Sequence, residues 1–164
     1  MRKLVFVVGF ICLWGAIAVA QNAGKVSNGW SCAKPTDTKT ISVPGQPDHT
    51  YTVSQFKCTS TKGEYAGEKE KEGTATEFDE VKGGKLTGHG IFVETFANDD
   101  KATFNYQITA TLKDGRMSTV ADKWQAVSGT GKFKALKASG TCTGTGTAEG
   151  GSNLACMGTY TVAK

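Results

Sequence analysis

Glu94 is flanked at alternate positions by Phe92 and Phe96, in the run I-F-V-E-T-F. On an extended strand these three side chains share one face. A carboxyl group among aromatic rings loses hydration, so its pKa rises and it can work as a general acid or base. The competing reading turns that face to solvent and covers the two rings with a neighbouring segment. The sequence favours this second reading. His89 shares the opposite face with Ile91 and Val93, which suits a core or rim histidine better than a catalytic one. Hydroxyl side chains are abundant, but a Ser–His–Asp set is defined by geometry rather than spacing, and none can be argued. Gly129-Thr130-Gly131 has the opening of a dinucleotide loop. Strand-like sequence follows it where a helix would be needed, so a barrel turn is the better reading and no cofactor is expected.

Four cysteines lie beyond residue 20: Cys32, Cys58, Cys142 and Cys156. No C-x-x-C occurs, and the two histidines, His49 and His89, are far apart, so no metal site is expected. An even cysteine count in an exported chain implies two disulfides. Four cysteines allow three pairings, and their number does not choose among them. The Gly150-Gly151 turn does suggest a choice. It folds Thr141–Thr147 back on Leu154–Thr161 and brings Cys142 near Cys156, leaving Cys32 for Cys58.

The chain start bears on that compartment. Met1-Arg2-Lys3 is a short basic segment, Leu4 to Val19 is apolar and uncharged, and Ala18-Val19-Ala20 is a small-x-small site. This is the pattern of a signal peptide cut after Ala20, and it predicts a secreted or periplasmic protein. The apolar run falls short of the roughly 20 residues of a spanning helix. Cys12 lies inside it without the small residues that precede a lipid-bearing cysteine. Cleavage would leave 144 residues with 17 basic against 15 acidic side chains. That is one domain of ordinary size, too balanced in charge for nucleic-acid binding.

These residues need elements to position them. Lys101 to Leu112 alternates strictly, with Ala102, Phe104, Tyr106, Ile108, Ala110 and Leu112 against polar partners. Period two over that length means a half-buried strand. Thr38–Val43, His49–Ser60, Thr74–Val81, Leu86–Phe96 and Arg116–Trp124 read as further strands. A bulge near Ser54 would account for irregular alternation in the second of these. Pro44-Gly45-Gln46-Pro47-Asp48, Gly83-Gly84, Asn98-Asp99-Asp100 and Asp114-Gly115 read as turns. The charged stretch Lys62–Lys71 fits either an exposed helical turn or a solvated strand or loop. Residues 21–37 read as a loose lead-in that docks at Trp30, and 38–164 as the folded domain. From Trp124 to Tyr160 the chain is rich in glycine and threonine. Glycine inside strands marks bulges, bends or close backbone approach. The total is an all-β protein, a small antiparallel barrel of about eight strands with little helix.

The run W-Q-A-V-S-G-T-G-K-F-K-A-L-K-A-S-G-T, Trp124 to Thr141, resembles the closing segment of the allene oxide cyclase barrel-like superfamily. That group includes dirigent proteins and small exported bacterial proteins. The N-D-D-K and D-G turns and the closing M-G-T-Y-T fit the same pattern, so the likeness spans roughly Thr74 to Val162. W-S-C-A-K-P and Q-F-K-C-T resemble a group of uncharacterised exported bacterial proteins. Ala135 and Ala138 stand where the superfamily often has glycine. No complete set of cyclase catalytic residues is matched, so that activity does not carry over. The resemblance also implies a homo-oligomer.

An eight-stranded barrel is just wide enough to be filled by side chains or to hold one small ligand. Phe92, Glu94, Phe96, Phe104, Tyr106 and Trp124 are the expected wall of a site for a small apolar ligand. A cofactor-independent isomerase or cyclase-like enzyme, and an oligomeric structural envelope protein, are the alternatives.

Overall fold

The computed structural model describes residues 21–163. The expected signal peptide, residues 1–20, lies outside them. The described chain forms ten strands and a 3-10 turn at Gly131–Phe133. The strands are β1 (Gln21–Cys32), β2 (Asp37–Ser42), β3 (His49–Lys62), β4 (Glu64–Tyr65) and β5 (Glu68–Lys82). They continue with β6 (Lys85–Phe96), β7 (Lys101–Lys113), β8 (Arg116–Gly129), β9 (Lys137–Gly146) and β10 (Ser152–Ala163). Eight of them close a ring in the order β1-β10-β9-β8-β7-β6-β5-β3 and back to β1, every pairing antiparallel. The short β2 and β4 add to β3 and β5. The fold is the all-β antiparallel barrel that the alternating runs imply. Closure leaves few unpaired strand edges.

Turn chemistry sets the register of the hairpins. Asp114 and Gly115 have φ of 53° and 74°, and Gly83 and Gly84 have 56° and 73°. Two successive left-handed residues make the primed turns whose twist suits a tight hairpin.

Two sequence expectations are corrected. The lead-in is not loose: Gln21–Cys32 is β1, paired along its whole length with β10 and at its end with β3. Val26, Asn28, Trp30 and Cys32 alternate inward and are buried. The polar Asn28 among them hid the period-two signal. No bulge lies at Ser54, since β3 pairs with β5 without a break from His49 to Thr59. Val53 faces outward there, which explains the apparent irregularity. In Lys62–Lys71 the strand alternative is the one observed, with β4 turning through Ala66-Gly67 into β5.

Following the ladders around the ring shows what fills the barrel. One inward row runs Asp79, Gly88, Ile108, Asp122, Cys142, Cys156, Asn28. The next runs Glu77, Gly90, Tyr106, Trp124, Gly140, Gly158, Val26. Glycines interrupt the large side chains of both rows. A Cβ on Gly140 or Gly158 would collide with the Trp124 indole, and one on Gly73 with the Phe92 ring. These three glycines therefore record where a nearby ring approaches the backbone closely.

One end of the barrel is plugged. Phe133, from the 3-10 turn, stacks on Phe96 with ring centroids 3.9 Å apart, and Tyr65 meets Phe96 edge-on at 5.8 Å. Val26, Ala102, Phe104, Leu136 and Val162 complete this buried cluster. Two hydrogen bonds to the β4 turn hold it shut: the Ala66 N–H donates to the Tyr160 hydroxyl at 2.9 Å, and Lys132 Nζ donates to the Ala66 carbonyl at 2.7 Å. The waist carries both disulfides, Cys32–Cys58 and Cys142–Cys156, each between residues directly opposite across a ladder. They are the pair predicted from the hairpin. Among the described residues no helix is long and apolar enough to cross a membrane.

Candidate functional site

Above the plug the barrel encloses a cavity of about 300 Å³. Its lining includes the exposed Ala33, Thr38 and Gly150, which places the mouth between the β1–β2 link and the β9–β10 turn. Trp30, Phe56, Phe92, Phe104, Tyr106 and Trp124 supply aromatic wall, and Leu86, Ile108 and Val120 the aliphatic part near the mouth. Trp30 meets Phe92 edge-on at 5.0 Å, and Phe104 meets Trp124 edge-on at 5.7 Å. These contacts fix ring positions.

Five of the six residues expected to form the wall line this cavity: Phe92, Glu94, Phe104, Tyr106 and Trp124. Phe96 does not; it lies deeper, in the plug, fully buried. The favoured reading of Glu94 is overturned. Its face points inward, and Glu94 is only 1% exposed. Burial pushes its carboxyl well above the usual carboxylate range, and the charge of Glu70 adds to the shift. His89 is corrected too. It stands on the outer surface against Phe78, at 5.6 Å between ring centroids, neither core nor rim.

The larger surprise is how acidic the interior is. Glu77 and Asp79 on β5 and Asp122 on β8 join Glu94 in the lining, and Glu70 lies behind Glu94. Each is treated differently by its surroundings. Glu77 accepts a hydrogen bond from the Tyr106 hydroxyl at 2.7 Å, across the gap left by Gly90. Asp122 accepts one from the Cys142 backbone N–H at 3.0 Å. Asn28 donates its amide to Glu70. Asp79 Oδ1 and Glu94 Oε1 have no donor among the described residues, and neither has Trp124 Nε1 an acceptor.

Desolvation is the first cause of every shift here. It pushes Asp79 up to about 8, helped by the neighbouring Glu77 charge. Glu77 also rises by burial, opposed by the Tyr106 hydrogen bond. Asp122 goes up to about 6 by burial, opposed by the Cys142 N–H. Glu70 goes up to about 7, again by burial and against the Asn28 hydrogen bond. The site thus has carboxyl groups that can hold, give or accept a proton near neutrality, inside aromatic walls. That arrangement can grip a ligand's polar end, and it can do acid–base chemistry on a confined molecule.

Sequence reasoning missed Glu77, Asp79 and Asp122 because hydropathy points the wrong way. In T-A-T-E-F-D-E-V the apolar Phe78 faces out and its acidic neighbours face in. The available signal was on the partner strand. Gly88 and Gly90 share the inward face with Phe92 and Glu94, and a Cβ on either would collide with Asp79 or Tyr106. Among the described residues no group of three His, Cys, Asp or Glu side chains is arranged to hold a metal ion.

No family model and no curated protein sequence matches this chain. A solved structure does: the pterocarpan synthase dirigent protein matches with a TM-score of 0.54 and 11% identity, over 100% of this chain and 98% of its own. At that identity the likeness is one of fold, and it shows that this chain forms a closed eight-stranded barrel similar to that of a dirigent protein.

Proposed function

We propose that this is an exported protein that binds one small, largely apolar ligand inside its barrel. The observation that supports the reading is the cavity itself: open at one end, plugged by Phe96 and Phe133 at the other, and walled by aromatic rings. Its 300 Å³ is at the lower end of the roughly 300–1,000 Å³ of ligand pockets, which suits a ligand of about one ring. Secretion or a periplasmic location is supported by the leader pattern and by the two disulfides. Both tryptophans among the described residues, Trp30 and Trp124, line the cavity. Titration with a panel of small aromatic and aliphatic compounds should therefore change tryptophan emission and saturate. Emission indifferent to the whole panel would sink the reading.

A second reading is favoured by one observation: a buried, proton-holding carboxyl, Glu94, at the cavity floor. It supports a cofactor-independent isomerase or cyclase-like enzyme that protonates a confined intermediate. For an enzyme of that kind, Glu94→Gln would abolish turnover and spare binding; loss of both together would count against it. A homo-oligomer is proposed from the exposed Val53, Phe78 and Ile91 on the outer face of β3, β5 and β6, and light scattering reads it directly.

A further inference from the structure

We infer that the ligand is an organic cation, a small ammonium group carried on an apolar, ring-sized body. This rests on the ligand-binding reading above and names the chemistry of its ligand.

Charge is segregated across the barrel wall. The chain carries 19 basic and 15 acidic residues. Yet Glu77, Asp79, Glu94 and Asp122 line the cavity, and no lysine, arginine or histidine does. The ion pairs among the described residues, His49–Glu80, Lys71–Asp99 and Lys132–Glu68, involve none of these four. Buried carboxyl groups ordinarily have a counter-charge or a full set of donors. Here the polar neighbours of Asp79 and Glu94 are Glu77 and Glu70, carboxyl groups themselves. Among the described residues Asp79 Oδ1 and Glu94 Oε1 meet no basic side chain and no N–H donor, on side chains 6% and 1% exposed that face the cavity.

The space between them is shaped for the rest of such a ligand. The ammonium would sit among Asp79, Glu77 and Asp122, with Tyr106 closing one side. Its apolar body would lie against Trp30, Phe92 and Trp124, whose rings also attract cations. A neutral polyol could satisfy the same acceptors, but it would not displace their protons. Tyr65 on β4, Glu77 and Asp79 on β5, Glu94 on β6, Tyr106 on β7 and Asp122 on β8 are the titratable groups that face this space. Burial holds Asp79 protonated to about pH 8 and Asp122 to about pH 6. An arriving cation must expel those protons, so its affinity should rise with pH while that of a neutral ligand should not.

Calorimetric titration tests this with 2-phenylethylammonium, its neutral isostere 2-phenylethanol and the anion phenylacetate. A range of about pH 5.5 to 8.5 keeps the amine charged, since a primary alkylammonium titrates near the lysine value of about 10.4. The expected result is a preference of about tenfold for the amine over the alcohol at the upper pH, shrinking to about twofold or less at the lower. Proton release should accompany amine binding, read from the dependence of the heat on buffer. Asp79→Asn, a near-isosteric change, should remove most of the preference for the amine over the alcohol and flatten its dependence on pH. Asp122→Asn is the second variant, and the pH profile of the unaltered protein needs neither. Alcohol binding as tightly as the amine at every pH overturns the inference and leaves the ligand-binding reading standing. Failure of all three compounds to bind overturns both.

Discussion

Gly88 stands directly opposite Asp79 on the β5–β6 ladder, and the space where its side chain would be holds the Asp79 carboxyl. The Phe78 carbonyl also crowds the position. Gly88→Ala should therefore destabilise the barrel by about 1–3 kcal/mol through overpacking. The two residues share the space, so their effects should not add. In an Asp79→Ala background the cost of Gly88→Ala should fall by at least about 0.5 kcal/mol, measured by a double-mutant cycle in denaturant. Additive costs would mean that Asp79 points elsewhere.

The interior acids predict an unusual pH dependence. Glu70, Asp79 and Asp122 have folded pKa values of about 7, about 8 and about 6, each raised by burial. The unfolded values lie near 4. Between the two the folded state holds more protons, so stability falls as pH rises. It is greatest below about pH 4 and is lost progressively up to about pH 8. The slope reaches about 1.4 kcal/mol per pH unit for each proton released. Melting temperature should drop between about pH 5 and 8.5, and Asp79→Asn should flatten the upper part of that drop. A melting temperature that rises across this range would contradict the inward placement of these groups.

Much of this was legible in the sequence. Strict alternation gave β7, dipeptide turns gave the hairpins, and the Gly150-Gly151 turn paired Cys142 with Cys156. Three things were not. Asn28 broke the apolar pattern of β1, so a barrel strand read as a loose lead-in. Phe78 and Glu77 exchanged their usual sides because the cavity, not a packed core, sets what β5 presents inward. Phe96 alternates in step with Phe92 and Glu94, but its depth along the barrel axis depends on ring closure, which no local pattern contains. Glycine was the more faithful witness: the Asp79 carboxyl fills the gap at Gly88, the Tyr106 ring that at Gly90 and the Trp124 ring that at Gly140.

The disulfides have different surroundings from those the lead-in reading implied. Replacing Cys32 and Cys58 together by serine should lower stability by roughly 3 kcal/mol on the loop-closure account. Residues 21–32 should nevertheless resist protease, because β10 pairs with all of β1. Selective cleavage between 21 and 37 in the folded variant would show that the bridge, rather than the ladder, holds this strand.

The plug has a single most exposed dependency. Phe133 comes from a three-residue turn and is fully buried against Phe96. Phe133→Ala should cost about 3–5 kcal/mol, as for other large-to-small core changes. Thermal melts would read it, and a cost under about 1 kcal/mol would mean that the end of the barrel repacks freely.

The central claim is that the barrel interior, not its outer face, receives the ligand. A crystal structure of the protein soaked with 2-phenylethanol tests it most directly. The account predicts the ring among Trp30, Phe92 and Trp124, with the hydroxyl within hydrogen-bonding reach of Asp79 or Glu77. A barrel filled by its own side chains, with the compound on the outer surface at Val53 and Phe78, would contradict it.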